Sequence, residues 1–232
     1  MRKTKFNLQV IIAFFTILAL IFPSVTPSVL AQSIPQPETV TIAGTMQSEL
    51  GCDGDWMPSC AITNLTFDAN SGIWKGTFEV TPGNDQDKKG PRYKVALNGT
   101  WDENYGMNAK QGGADIPLVV DQPTMVTFYY DHKTHVITDD YNTPIIVAIG
   151  DFQTQLGCQQ NNDPACLRAW LQDPEGDGSF TFSTSALKAD TYSVALAISQ
   201  KNTTTTTDPT SFTVAKDNDE IFFGYDLAKK EF

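Results

Sequence analysis

One stretch of this chain carries the side chains that a sugar ring asks for. Asn98-Gly-Thr-Trp-Asp-Glu-Asn-Tyr-Gly106 gathers Trp101 and Tyr105 with Asp102, Glu103 and Asn104, while Gly54-Asp-Trp56 lies between two cysteines. A pyranose has an apolar C–H face and a rim of hydroxyls, so it is held by an aromatic platform flanked by groups such as Asp102 and Asn104. Trp56, Trp101, Asp102, Asn104 and Tyr105 are therefore the candidate carbohydrate-binding residues. Burying one ring face contributes roughly 1–2 kcal/mol, and association costs several. Two platforms then imply about millimolar affinity per site, which a polymer raises through multivalency. A plainer role suits the same residues, because a Trp or Tyr after a strand often closes the end of a sandwich core and Asp-Glu-Asn often caps a turn.

Other constellations are weaker. His132-Lys-Thr-His135 offers two metal ligands, but no third partner is evident in the sequence, so surface or packing roles are expected and no metal is assigned. Asp102 and Glu103 are adjacent, which on a loop rarely aims both at one glycosidic bond. Neither a Ser-His-Asp set nor a nucleophile elbow is present, so the chain is read as a non-enzyme with no cofactor. Asp173-Pro-Glu-Gly-Asp-Gly178 has the alternating acids of a calcium loop without its distal Glu, and a tight turn is sufficient.

The elements that must position these residues come in two copies. Gly44-Thr-Met-Gln-Ser-Glu-Leu-Gly-Cys52, with Cys60 beyond it, recurs as Gly150-Asp-Phe-Gln-Thr-Gln-Leu-Gly-Cys158 with Cys166 beyond it. So long a period means a repeated domain rather than a solenoid. Only local pairing respects the repeat, which predicts disulfides Cys52–Cys60 and Cys158–Cys166. Strand signals dominate: Ile73–Val80 sets Trp74, Gly76, Phe78 and Val80 on one face, and Tyr192, Val194, Leu196 and Ile198 alternate with smaller or polar neighbours. Further runs at 40–43, 64–67, 93–97, 125–130 and 136–138 are separated by Gly, Pro, Asn and Asp. Trp74 and Trp170 are read as core. The pattern predicts an all-β chain, two tandem immunoglobulin-like antiparallel β-sandwiches following a signal peptide. The divisions are 1–31 for the signal peptide, 32–38 for a lead-in, 39–141 for the first module and 142–232 for the second. Residues 84–92 read as an exposed hairpin insertion, and Lys201-Asn-Thr-Thr-Thr-Thr-Thr-Asp208 as a low-complexity loop. The short linker at 140–144 implies modules packed end to end with restricted motion.

Arg2, Lys3 and Lys5 precede the apolar run 10–22, and Val29-Leu-Ala31 supplies small residues for a signal peptidase. Cleavage after Ala31 and export are expected, in keeping with the paired cysteines. With a formal net charge of −11, and more negative once those three cations are removed, the chain is excluded from wrapping nucleic acid or binding anionic lipid. No insertion into a membrane is expected after cleavage.

Five segments bear a resemblance: Gln47-Ser-Glu-Leu-Gly-Cys-Asp-Gly-Asp-Trp-Met-Pro-Ser-Cys60, Ala96-Leu-Asn-Gly-Thr-Trp-Asp-Glu-Asn-Tyr-Gly106 and Phe128-Tyr-Tyr-Asp-His-Lys-Thr-His135 in the first copy, and Gln153-Thr-Gln-Leu-Gly-Cys158 and Leu171-Gln-Asp-Pro-Glu-Gly-Asp-Gly178 in the second. Both copies resemble the tandem immunoglobulin-like accessory module found beside the catalytic domain of bacterial pullulanases and amylopullulanases. That resemblance implies a secreted, extracellular β-sandwich linked to starch, glycogen or pullulan, with an α-glucan or a separate amylolytic enzyme as partner. The copies differ where it matters. Asn162 stands at the second-copy position of Trp56, and the threonine tract stands opposite the Trp101 loop, so only the first copy is expected to bind sugar. A length of 232 residues leaves no room for an α-amylase-type barrel, so either a free-standing binding protein or a module separated from its enzyme is expected. The competing class is a structural or protein-interaction scaffold without a sugar ligand, in which the aromatics are core.

Overall fold

The computed structural model describes residues 34–82 and 90–232. The expected signal peptide and most of the expected insertion at 84–92 lie outside the described residues. From Pro35 onward the chain forms one compact unit.

In the first copy, β1 (Val40–Gly44) pairs antiparallel with β4 (Arg92–Leu97), which also pairs with β5 (Asn104–Tyr105) and β6 (Ile116–Pro117). The facing sheet runs β2 (Thr66–Asp68), β3 (Ile73–Val80), β7 (Thr124–Tyr130), β8 (Ile137–Asp139). Period-two alternation sends Tyr93, Val95 and Leu97 of one sheet against Val126, Phe128 and Tyr130 of the other, all buried. The Tyr93 and Phe128 rings meet edge to face at 4.8 Å. Trp74 is buried in the same core.

The second copy repeats the plan. β9 (Ile145–Gly150) pairs with β10 (Trp170–Leu171) and β12 (Asp190–Gln200), and β12 carries β13 (Thr203–Thr206) and β14 (Thr210–Val214). β11 (Ser179–Thr184) and β15 (Ile221–Asp226) form the opposite sheet. The threonine tract is thus a strand and not the loop expected from its low complexity, because β-branched residues suit a pleated edge.

The repeated phrase has a physical explanation. A Cβ on Gly44 would run into the Arg92 carbonyl, and one on Gly150 into that of Ser193, so both sites exclude larger residues. The buried Gln47 amide donates to the Met57 carbonyl at 2.9 Å and accepts from the Met57 N–H at 2.7 Å. Gln153 does the same with Asp163 at 2.9 and 2.8 Å. Each glutamine thereby pins a loop closed by its disulfide, Cys52–Cys60 or Cys158–Cys166.

The copies meet through strand faces rather than by their ends alone. Ile146 and Ala148 of β9 enter their own core, whereas Ile145 and Val147 turn to a second cluster with Ile73, Val136, Leu167 and Trp170. That two-sided burial is why β9 reads as an unbroken apolar run. Polar contacts reinforce the seam: Arg168 Nε donates to the Asn70 carbonyl at 2.9 Å and Nη2 to that of Ala69 at 2.8 Å. The expected linker is equally tied down, since Asp139 accepts from Tyr93 Oη at 2.9 Å and from the Asn142 N–H at 2.8 Å.

Candidate functional site

Two loops of the first copy bring Trp56 and Trp101 together. Trp56 lies in the disulfide loop, where its N–H donates to the Gly44 carbonyl at 3.2 Å and its backbone adopts φ 57°. Asn162 does the same in the second copy, donating to Gly150 at 3.1 Å with φ 55°. Asparagine tolerates this left-handed conformation and tryptophan is an outlier there.

Trp101 sits at the tip of the β4–β5 connection. Asn98 and Gly99 turn the chain with φ 54° and 70°. The Asn104 side-chain amide then donates to the Trp101 carbonyl at 2.8 Å and fixes the tip. Trp101 is 39% exposed, and its ring centroid lies 6.5 Å from that of Trp56 with the planes inclined by 40°. Trp56 is half-buried. Period two on β4 places Arg92 and Lys94 beside the pair: the Arg92 guanidinium is 5.9 Å from the Trp56 ring and the Lys94 ammonium 6.0 Å from that of Trp101. Asp102 is exposed on the same tip, where its carboxylate accepts from Thr100 Oγ1 at 3.3 Å.

Tyr105 does not join them. Its register opposite Val95 turns it inward, it is 6% exposed, and its ring stacks on His135 at 4.0 Å and 5°. A ring with both faces covered offers no platform to a sugar. Asn104 acts on the protein's own backbone and not toward solvent. Of the five residues expected from sequence, Trp56, Trp101 and Asp102 form the surface, while Asn104 and Tyr105 support it. Arg92 and Lys94 were missed, although their positions two apart on a strand leading to the loop are a visible signal.

Behind the loop lies a polar cluster that sequence spacing could not show. One ligand atom each from Glu103, His132 and His135 lie within 4.8 Å of one another. Tyr130 Oη is 3.2 Å from His132 Nδ1 and 3.1 Å from His135 Nδ1. Tyr105 Oη donates to Glu103 Oε1 at 2.9 Å and lies 3.4 Å from His135 Nε2. Burial, together with the hydrogen bond to Glu103 and its charge, pushes the Tyr105 phenol up to about 12, so it stays a donor. Burial, with His132 next, lowers the His135 imidazole below its usual range.

Two other places carry less. Asp173 accepts from the N–H groups of Gly176, Asp177 and Gly178 at 2.8, 3.1 and 2.8 Å, so its carboxylate is occupied in making a turn. A cleft of about 430 Å³ at the seam is lined by Met107, Val136, Pro144, Trp170, Asp173 and Leu227 and contains none of the paired indoles. Among the described residues no helix is long and apolar enough to cross a membrane.

Comparison with known proteins places this geometry in a family. Three amylopullulanases are similar over about half of this chain. They come from Thermoanaerobacter thermohydrosulfuricus (35% identity over 122 residues), Thermoanaerobacterium thermosulfurigenes (36% over 126) and Thermoanaerobacterium saccharolyticum (34% over 119). These alignments span 53%, 54% and 51% of this chain but only 8%, 6% and 9% of those enzymes. Pullulanase from Bacillus acidopullulyticus aligns with 74% of this chain and 28% of its own, at 13% identity and a TM-score of 0.37, a likeness too distant to argue from. The family model described as the pullulanase X25 domain matches twice, at residues 39–137 and 145–232, and so covers both copies of the repeat. The chain belongs to the pullulanase X25 domain family.

Proposed function

We propose that this chain is an extracellular, non-catalytic accessory protein of α-glucan metabolism that binds starch-type polysaccharide weakly through Trp56, Trp101 and Asp102. The inclined, partly exposed indole pair carries the reading. An α-linked glucan is curved, so neighbouring sugar faces are themselves inclined, and two indoles at 40° suit it better than a flat ribbon would. Asp102 accepts from sugar hydroxyls, and Lys94 and Arg92 donate to them. The second copy, with Asn162 and threonines at the matching positions, serves as framework. The names of the amylopullulanase relatives support the substrate class, and the amino-terminal pattern ending at Ala31 supports export.

Affinity electrophoresis through amylopectin and pullulan gels tests this. Wild-type protein is expected to be retarded, and Trp101→Ala to weaken retardation by about 5- to 30-fold in apparent Kd, the equivalent of one lost ring face. Unchanged mobility for wild type and variant alike would sink the reading. In that case the half-burial of Trp56 under Arg92 favours the scaffold alternative, in which the two indoles cap the sandwich and a protein is the partner.

A further inference from the structure

We propose that Glu103, His132 and His135 form a binding site for one divalent transition-metal ion of the zinc type, which clamps the Trp101-bearing loop to the turn after β7. The chain has two histidines, and both converge on one carboxylate from a different part of the sequence. Two imidazoles and a carboxylate make a donor set suited to zinc-like ions and unlike the all-oxygen sets of calcium or magnesium.

The geometry needs little adjustment. Ligand atoms about 2.1 Å from a tetrahedral ion stand about 3.4 Å apart, so side-chain rotations moving the three atoms by about an ångström close a site whose members now lie within 4.8 Å. Tyr130 Oη, in reach of both Nδ1 atoms, can accept a hydrogen bond from each ring, which leaves Nε2 of each unprotonated for the ion. His135 Nε2 already lies on the Glu103 side, since Tyr105 Oη reaches both. Three protein ligands leave a fourth position for water.

The second copy argues that the histidines are not there to make the turn. In the first copy, the His135 N–H donates to the Asp131 carbonyl at 2.7 Å, the Asp131 N–H donates to that of Val136 at 3.0 Å, and φ at His135 is 62°. In the second, Lys230 donates to Asp226 at 2.8 Å, Asp226 to Glu231 at 2.9 Å, and φ at Lys230 is 58°. The backbone turn is the same, yet His132 and His135 are replaced by Leu227 and Lys230. The strand register sets Thr205 opposite Ile198, where the Glu103 carbonyl accepts from Leu97. All three ligand positions are therefore changed in the second copy, and its turn forms without the two histidines.

The test uses the chain from residue 32 onward, freed of any polyhistidine tag. Zinc chloride titrated calorimetrically is expected to bind at one site, cobalt is expected to give the visible absorption of a tetrahedral ion, and calcium or magnesium to give neither. Glu103→Gln and His132→Gln should each weaken zinc by about tenfold or more, while Glu231→Gln in the second copy should not. Should the variants fail to fold, long-range proton–nitrogen spectra of the wild type decide the matter, because two imidazoles can be followed without mutation and must shift together with one equivalent of zinc. No zinc heat, zinc binding unchanged in the variants, or imidazoles that stay put would each overturn the site. Glucan retardation is read separately, so failure of the metal site and failure of sugar binding are distinguishable.

Discussion

At Trp56 the backbone stands in a conformation that favours glycine and asparagine, and the second copy shows what a comfortable residue looks like in its place. Trp56→Asn is therefore expected to keep or raise stability, by up to about 1 kcal/mol, while weakening retardation by glucan. A fall in urea midpoint would instead show that the indole is a packing residue. The Trp101 loop could be read from sequence because its aromatic and acidic residues are contiguous. The inward turn of Tyr105 could not, since it follows from a two-residue strand pairing with Val95 and no local pattern encodes that. Glu103 escaped for the same reason: its partners lie on a turn of the opposite sheet, and distance in sequence hides contact across a sandwich.

At the scale of elements, the turn between β2 and β3 carries its own charge device. Burial pushes the Asp68 carboxyl up, but hydrogen bonds from Lys75 and Ser71, with the Lys75 charge, outweigh it and hold the group at about 2. Its folded value is depressed, so the stabilisation is fully present above the ordinary carboxylate range near about 4 and is lost as pH falls through about 2. Urea melts across that window should show wild-type stability dropping relative to Asp68→Asn, and parallel curves would refute the assignment. The disulfides act at this scale too. Each closes a short loop with a sequence separation of 8, so the double Cys52→Ser, Cys60→Ser variant should lose about 2.5 kcal/mol and still fold. Strand positions were readable because alternation is a short-range signal. The threonine tract was not, since five identical residues look like a loop until a partner strand is supplied.

For the whole molecule, the seam between the copies governs behaviour. Ile145, Val147 and Trp170 bury surface against residues of the first copy, so wild type should unfold in a single cooperative transition. Trp170→Ala is expected to cost about 3–5 kcal/mol and to split the calorimetric transition in two. A single transition of unchanged midpoint would mean that the seam contributes little. The apolar run of β9 announced burial, but whether one face or both were covered depends on a neighbour that the run itself does not describe.

The second copy's loss of both indoles then takes on another meaning. Arg168 reaches across to the Ala69 and Asn70 carbonyls, next to the strand that continues into the first copy's core. Through these contacts the second copy braces the first, so a substitution at Arg168 is expected to be felt in its neighbour. The two sandwiches are in this way mechanically one body, and damage to either is shared across the seam.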